Sequence, residues 1–262
     1  MIRSIFEDRR LATLLLVGAV LWSVAAVPWG DRMTHPGGWG AIGEILGAMG
    51  SPELSRTVSS DAISATWATI AYAVAGLTLA LVVAVPLGIF ASGVLSRSDA
   101  KRRTSTAAVR LVLAFFRSVH ELVWAWLFVA AVGLSPMAAV LALGIAYGGI
   151  LGRIYSELLQ DVPEGPLRAL RSSGASEWRV LWYGRLPMAL PDMLSYTFYR
   201  LECGIRSAAI MSFIGLGGLG HEVRLALDDL AYGRMWTHLY FLAGLIVIVD
   251  VWSTMVRRRV AA

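Results

Sequence analysis

The sequence predicts an all-α polytopic membrane protein with about six transmembrane helices. Hydrophobic residues make up 57% of the 262 residues, and the mean hydropathy is +0.65. Charged residues make up 16%, well below the roughly 25% that is usual in soluble domains. The apolar residues occur in long runs rather than in short alternations, and the runs have the length that a helix needs to cross a bilayer.

Six apolar runs account for the predicted transmembrane helices. They cover about residues 11–28, 62–95, 107–132, 137–157, 188–214 and 235–256. Arginines precede the first run as in a signal peptide, but the following sequence, AAVPWGDRM, is a poor cleavage site, so we expect a retained helix. The second run is longer than one span, so we expect it to tilt or to extend beyond the lipid, with a kink at Pro86.

The basic residues predict the orientation in the membrane. Sixteen Lys and Arg residues lie on the side that holds both termini, the 96–110 loop and residues 153–185, and four lie on the other side. Because Lys and Arg accumulate on the cytoplasmic side, both termini are predicted to be cytoplasmic. Orientation in the lipid bilayer therefore explains the net charge of +5, and we expect no nucleic-acid partner.

The sequence lacks the motifs of nucleotide, metal and catalytic sites. Lys101 is its only lysine and no GxxxxGK[ST] motif surrounds it, so a P-loop is excluded. Gly215, Gly217 and Gly220 form GxGxxG, but an apolar run rather than a strand precedes them, so we expect close backbone packing there. The four histidines have no metal-ligand spacing. We expect a protein without enzymatic activity that itself binds no cofactor or metal.

Five of the charged residues inside the third and fifth apolar runs are candidates for a functional role. Arg117 and Glu121 are four residues apart in the third run. Glu202 and Arg206 have the same spacing in the fifth run, so each pair is expected to share one helix face, with Arg200 on a different face. A charge inside a span costs about 2.5–3.5 kcal/mol. Either these residues fix helix packing, or they line and gate a translocation pathway for an oxyanion, which arginine binds well; both roles can hold together.

A polar segment, residues 164–187, separates the fourth and fifth runs. Its sequence, EGPLRALRSSGASEWRVLWYGRLP, predicts two short helices joined by a turn. Pro163 can begin the first helix, Gly174 fits the turn and Ser176 can cap the second helix. Pro187 is expected to close the segment.

The spacing within this segment resembles the motif of ABC importer permeases: Glu-Ala-Ala, three residues, Gly, nine residues, Ile, one residue, Leu-Pro. Ala169, Gly174, Leu186 and Pro187 match it, and Arg168 takes the position of the Glu. The form RALRSSGASEWRVLWYGRLPMALP is most similar to the phosphonate-transport permeases. In that family the segment is the coupling helix, which sits in a groove of the ATPase subunit. The resemblance implies ATPase-coupling roles for Glu164, Arg168, Ala169, Arg171, Gly174, Ala175, Trp178, Arg179 and Pro187.

The resemblance extends over residues 62–256. RSVHELVWAWLFVAAVGLSP is similar to the corresponding helix of the phosphonate permeases, in which a proline usually stands at the position of His120. YRLECGIRSAAIMSFIGLGGLG resembles the same family through its Glu–Arg pair and its glycine run. Residues 1–61 show little resemblance, so we expect a single transmembrane domain in which the first helix and the loop after it are peripheral.

The resemblance implies a type I ABC importer permease fold in a bacterial inner membrane. It implies the transmembrane permease subunit of an ATP-driven importer for phosphonate- or phosphate-like oxyanions. The implied partners are a second permease subunit, identical or paralogous, two ATPase subunits that bind ATP and magnesium, and an extracytoplasmic substrate-binding protein. Two alternatives stay open. The chain is either an importer permease for another small solute, such as an amino acid, or a stand-alone secondary transporter or channel, which would not need the 164–187 segment.

Overall fold

The computed structural model describes residues 9–27, 29, 37–95 and 99–260, and every regular element in these ranges is helical. The α-helices are α1 Arg9–Ala26, α2 Gly38–Gly47, α3 Arg56–Ser92, α4 Asp99–Ser118, α5 Glu121–Val132, α6 Pro136–Asp161, α7 Glu164–Ser172, α8 Glu177–Val180, α9 Leu186–Ser212, α10 Leu219–Asp228 and α11 Tyr232–Val260. A 3₁₀ turn precedes α3, and a π-helical turn, Leu181–Arg185, joins α8 to α9. The predicted all-α class is confirmed.

The chain divides into two compact units, residues 1–47 and 48–262. The first unit contains α1 and α2, and α1 corresponds to the first predicted helix. The second unit contains all later elements. Residue 28, the basic N-terminus and part of the 96–110 loop lie outside the described residues. The separation of a peripheral region 1–61 from the remaining chain stays a prediction.

Helices α3 and α6 form the centre of the second unit. α3 begins after Ser55, whose hydroxyl accepts a hydrogen bond from Val58 N at 3.4 Å. It ends at Gly93, which has a φ of +70°. The helix has 37 residues and is therefore about 56 Å long, which exceeds the roughly 30 Å of bilayer hydrocarbon. This length agrees with the expected tilt or extension, and Pro86 lies within the helix.

Glycines of α6 allow its neighbours to approach closely. A Cβ atom on Gly144 would lie 2.5 Å from Leu79 Cδ2 of α3, and one on Gly152 would lie 2.7 Å from Leu113 Cδ2 of α4. Small residues at such crossings bring helix backbones together and increase van der Waals contact within a membrane. The central position of α6 thus follows from its glycines and from its largely buried surface.

The predicted single helix over 107–132 is wrong. α4 ends at Ser118, α5 begins at Glu121, and the two axes differ by 86°. His120 occupies the N-cap of α5, and its Nδ1 accepts a hydrogen bond from Leu122 N at 3.2 Å. A histidine that caps the second helix thus stabilises the break that hydropathy did not predict.

Three helices in the described ranges are long and apolar enough to cross a membrane, namely α3, α6 and α11, and the bent α4–α5 pair adds a fourth if it forms one broken span. α9 has 27 residues, but Asp192, Arg200, Glu202 and Arg206 make it more polar. α1 is apolar but shorter. The six predicted spans therefore correspond to helical segments. Three or four of these segments are long and apolar enough to count as membrane-spanning helices by length and composition alone.

The glycine run after α9 packs tightly, as predicted. A Cβ atom on Gly220 would lie 2.0 Å from the Ala209 carbonyl oxygen. Gly220 N donates to Ser212 Oγ at 3.0 Å, and Leu219 N donates to Thr69 Oγ1 at 3.0 Å. The GxGxxG sequence thus closes a turn between α9 and α10, which is the structural role expected for it.

Candidate functional site

The 164–187 segment folds as two short helices and a turn, as predicted. Pro163 precedes α7, and Gly174 takes a φ of +84° in the turn, a conformation that favours glycine. Ser176 stands at the N-cap of α8, but its side chain makes no capping hydrogen bond. Pro187 does not close the segment as expected, because it lies in the first turn of α9. The π-helical turn carries the chain from α8 into α9 without a break.

A network of ion pairs holds this segment together. Arg171 Nη1 lies 2.9 Å from Glu164 Oε2, and its Nε lies 3.4 Å from Glu177 Oε2. Arg185 Nη2 donates to Glu164 Oε1 at 2.6 Å, and its Nη1 donates to the Leu159 carbonyl oxygen at 2.7 Å. Glu164 therefore connects α7 to the π-helical turn, and Arg185 connects that turn to the end of α6.

The charges of this network shift the pKa values of two of its members. The hydrogen bond from Arg171, reinforced by Arg185, holds the pKa of Glu164 below its ordinary value of 4.5. The same Glu164 carboxylate, with Glu177 nearby, raises the pKa of Arg171. Sequence reasoning missed Arg185, which is buried. No local spacing marked it, because 21 residues separate it from Glu164.

One side of the segment is exposed, and it combines basic and aromatic side chains. Arg168, Ala169 and Arg179 are exposed, and Ala175 is half-buried. Trp178 is 53% exposed, although large aromatic side chains are usually covered. Trp182 and Tyr183, which sequence reasoning did not select, are exposed as well. The predicted coupling residues thus fall into two groups, those that hold the fold of the segment and those on its surface.

The charges inside the helices form two polar clusters. In the first cluster, Tyr147 Oη donates to Ser207 Oγ at 2.9 Å, and Ser207 Oγ donates to Glu121 Oε1 at 2.6 Å. The Arg200 guanidinium lies over the Tyr147 ring, with Cζ 4.9 Å from the ring centroid. This cluster joins α5, α6 and α9 through residues that are far apart in the chain.

The second cluster is centred on the buried Glu202. Arg206 forms an ion pair with Glu202 Oε1, as the four-residue spacing predicted. Arg257 Nη2 lies 3.7 Å from Glu202 Oε2. The sixth predicted run ended at about residue 256, whereas α11 continues to Val260 and packs Arg257 against Tyr199 of α9.

The predicted pairing of Arg117 with Glu121 on one helix face is wrong. The chain bends by 86° between them, so the four-residue helical spacing does not apply. Arg117 is exposed at the end of α4 and makes no ion pair with any residue that the structure describes. Glu121 instead bonds to Ser207 and approaches His120 Nε2 at 3.7 Å. Among the described residues, no three His, Cys, Asp or Glu side chains cluster as metal ligands would.

Known proteins share the sequence and the fold of this chain. Residues 84–262 match the family of binding-protein-dependent transport system inner membrane components. The phosphite transport system permease protein PtxC of Stutzerimonas stutzeri is 30% identical over 253 residues, which are 95% of this chain and 89% of that protein.

Two further relatives match over shorter ranges. The putative phosphite transport system permease protein HtxE of the same organism is 35% identical, and the match spans 60% of each chain. The phosphate-import permease protein PhnE of Mycolicibacterium smegmatis is 32% identical over 63% of this chain, which spans 30% of that relative.

Solved structures of ABC transporters have the same fold. An inward-facing MetNI methionine transporter chain superposes with a TM-score of 0.68 at 20% identity, over 79% of this chain and 99% of that chain. A chain of a bacterial alginate importer superposes with a TM-score of 0.58 at 14% identity, over 99% of both chains. A stand-alone transporter or channel does not fit these matches. The chain belongs to the family of binding-protein-dependent transport system inner membrane components and is a non-catalytic permease subunit of an ABC importer.

Proposed function

We propose that this permease imports phosphonate- or phosphate-like oxyanions. The observation that supports the proposal best is the excess of arginine around one buried carboxylate, because Arg206 and Arg257 share Glu202. Guanidinium groups match the oxygen geometry of phosphate-like anions. The names of two relatives agree with this proposal, since they refer to phosphite and phosphate transport.

Import of another small solute is the second candidate. A relative named as a probable D-methionine transport system permease of Haemophilus influenzae is 24% identical over 72% of this chain. If this candidate is right, the intramembrane arginines serve helix packing only. Both candidates use the same fold and the same partners, so the transported solute distinguishes them.

The 164–187 segment is the proposed contact with a partner ATPase. Arg168, Ala169, Trp178 and Arg179 form its exposed surface, and partly exposed Trp and Arg side chains are frequent anchors of protein interfaces. Glu164, Arg171 and Gly174 hold the shape of that surface, with Ala175 packed behind it. Pro187 lies in the first turn of α9, the helix that is proposed to transmit movement of the segment into the bundle.

The proposed complex contains two permease subunits, identical or paralogous, two ATPase subunits and an extracytoplasmic binding protein. ATP and magnesium bind to the ATPases, and both termini of the permease lie in the cytoplasm, as the distribution of basic residues predicts. Closure of the ATPases pushes the two 164–187 segments together. The bundles then rock between inward- and outward-facing states, because ATP binds one of these conformations better.

The polar clusters are the proposed gate of the pathway. Glu121, Ser207 and Tyr147 link α5, α6 and α9 by hydrogen bonds that a shift of α9 would break. Arg200 and the Glu202–Arg206 pair lie on the same moving helix. Arg117, exposed at the end of α4, is proposed to face the pathway in the assembled complex.

Uptake into proteoliposomes tests the proposed substrate. The permease is reconstituted with its ATPase and binding protein, ATP is enclosed, and uptake of labelled phosphite, methylphosphonate and methionine is measured. We expect oxyanion uptake that requires both partners. Arg206→Ala should reduce it at least about tenfold, because a charge-assisted contact is lost. Arg224→Ala, which removes an exposed arginine of α10 paired with Asp228, is the matched control.

Three results of this uptake experiment would contradict the proposal. Accumulation of methionine without oxyanion uptake would support the second candidate. Equal loss of uptake in both variants would remove the special role of Arg206. Failure of the Arg206→Ala permease to assemble would assign the Glu202–Arg206 pair to helix packing.

A further inference from the structure

A shallow cleft of about 390 Å³ lies between α9 and the end of α11, lined by Ser195, Tyr196, Tyr199 and Arg257. A water molecule takes about 30 Å³, so the cleft has room for a phosphate-sized anion and several waters. The lining combines hydroxyl groups with one guanidinium, and none of these four side chains is acidic. This composition suits an anion rather than a cation.

Arg257 has unused capacity to donate hydrogen bonds into this cleft. Its Nη2 donates to Thr254 Oγ1 at 3.1 Å. The distance of 3.7 Å from Nη2 to Glu202 Oε2 is within ion-pair range but too long for a good hydrogen bond. Its Nε is shielded from solvent and has no hydrogen-bond partner in the described part of the chain. The neighbours of Arg257 therefore engage its guanidinium only in part, and an anion in the cleft would add a charge-assisted contact.

A second guanidinium lies near the same tyrosine. Arg257 Cζ lies 5.8 Å and Arg200 Cζ lies 5.9 Å from the centroid of the Tyr199 ring. Arg200 Nε is also shielded and lacks a hydrogen-bond partner among the described residues. Two positive groups therefore lie near one side chain of the cleft, and both have unused donors.

Glu202 is the negative group closest to these arginines, and its charge is already shared. Arg206 pairs with one carboxylate oxygen, while Arg257 approaches the other only at 3.7 Å. Two arginines, Arg206 of α9 and Arg257 of α11, thus share one carboxylate. The remaining positive charge favours an added anion.

We propose that this cleft binds a phosphate-like oxyanion, with Arg257 as the main donor and Glu202 as the internal counter-ion that the oxyanion replaces. The inference rests on the proposed function, which is the import of an oxyanion, and adds a binding site for that oxyanion. The bound group is either the transported oxyanion or the phosphate of a phospholipid headgroup, since the chemistry is shared.

The cleft lies in the half of the bundle that is nearer to the 164–187 segment. Thr197 of α9 bonds to Tyr155 of α6, and Tyr155 is six residues from the end of α6, where the segment follows. Ser253 of α11 donates to the Phe198 carbonyl oxygen at the same level. A transported oxyanion would therefore meet this site in the part of the bundle that is nearer to the ATPase.

Direct binding of inorganic phosphate tests the inference. The permease–ATPase complex, without the binding protein, is placed in phosphatidylcholine nanodiscs, and radiolabelled phosphate binding is measured by equilibrium dialysis. Arg257→Gln should weaken binding at least about tenfold, because a charge-assisted contact is lost. Glu202→Gln should strengthen binding, because the competing carboxylate is removed. Arg258→Gln, which removes the adjacent exposed arginine, should change the dissociation constant less than twofold.

The opposite changes in phosphate affinity expected for Arg257→Gln and Glu202→Gln distinguish binding from a structural role. If the Arg257–Glu202 pair is purely structural, both variants should weaken phosphate binding, and this result would overturn the inference. Equal phosphate affinity of wild type and Arg257→Gln would also overturn it. Nanodiscs with phosphatidylglycerol distinguish the two sources. If the headgroup is the ligand, this lipid displaces phosphate from the wild type but not from Arg257→Gln. Failure of the proposed function appears separately, as uptake of an amino acid in the proteoliposome experiment.

Discussion

Glu164 and Arg185 show at the scale of single residues how much the sequence can predict. Glu164 was expected to act in the coupling segment, whereas Arg185 was not selected, although it is buried and bonds to both Glu164 and the end of α6. The Glu202–Arg206 pair followed from helical spacing. The Tyr147–Ser207–Glu121 chain did not, because 60 and 86 residues separate its bonded partners.

Removal of the Glu164 charge should loosen the coupling segment. Glu164→Gln leaves Arg171 with a weaker partner and leaves the buried Arg185 without its carboxylate. Loss of a buried partner costs about 3–5 kcal/mol, and the half-exposed position of Glu164 reduces this to about 1–2 kcal/mol. The melting temperature of the purified complex should fall, whereas Glu157→Gln, which removes an exposed pair with Arg153, should leave it nearly unchanged. Equal melting temperatures of Glu164→Gln and Glu157→Gln would contradict this prediction.

The same variant should show a characteristic pH dependence. The pKa of Glu164 is lowered in the folded protein, so its ionised form stabilises the fold. This contribution is complete well above the ordinary pKa of 4.5 and is lost as the pH falls below 4.5 through the lowered value. The difference in melting temperature between wild type and Glu164→Gln should therefore be constant near neutral pH and shrink in acid. A difference in melting temperature that grows as the pH falls would contradict this prediction.

At the scale of elements, hydropathy predicted where the helices lie but not how they bend. The third apolar run contains no proline or glycine at residues 118–121, and its hydropathy does not mark the 86° break capped by His120. The π-helical turn before α9 is equally hidden, because it depends on packing. Gly184 within that turn packs closely against α7, since a Cβ atom there would lie 2.8 Å from Leu167 Cδ2.

A bulky residue at Gly174 should uncouple ATP hydrolysis from transport. Gly174 has a φ of +84° and no atom within 4 Å of an added Cβ, so Gly174→Val strains the backbone rather than causing a clash. The strain costs about 1–3 kcal/mol and should reshape the turn between α7 and α8. We expect substrate transported per ATP hydrolysed to fall severalfold.

Gly165→Val is the control for this prediction. Gly165 lies in α7, has no atom within 4 Å of an added Cβ and does not have a positive φ. Valine at this position adds the same bulk to the same segment without requiring a positive φ. Normal coupling in the Gly174 variant, or equal loss in both variants, would count against the role of the turn.

At the scale of the whole molecule, the sequence predicted the family and the helical fold, and the matches confirm both. The prediction of orientation depends on basic residues that lie partly outside the described range. The arrangement of the complete complex depends on contacts between chains. Neither the hydropathy nor the spacing of one chain encodes those contacts.

Cysteine accessibility should verify the orientation. In a Cys203→Ser background, which removes the only cysteine, Ser173→Cys in the coupling segment should react with a membrane-impermeant maleimide only from the cytoplasmic side. Ser51→Cys, placed before α3, should react only from the opposite side. Both positions are exposed. Labelling of Ser173→Cys from outside intact cells would reverse the proposed topology.

The most direct test of the central claim is the ATPase activity of the reconstituted complex. The permease and its ATPase are titrated with binding protein loaded with phosphite, methylphosphonate or methionine. We predict that only the oxyanion-loaded forms stimulate ATP hydrolysis, since ligand-dependent stimulation requires a coupled importer. Stimulation by the methionine-loaded form alone would contradict the oxyanion assignment, and no stimulation by any loaded form in an assembled complex would contradict coupling through this chain.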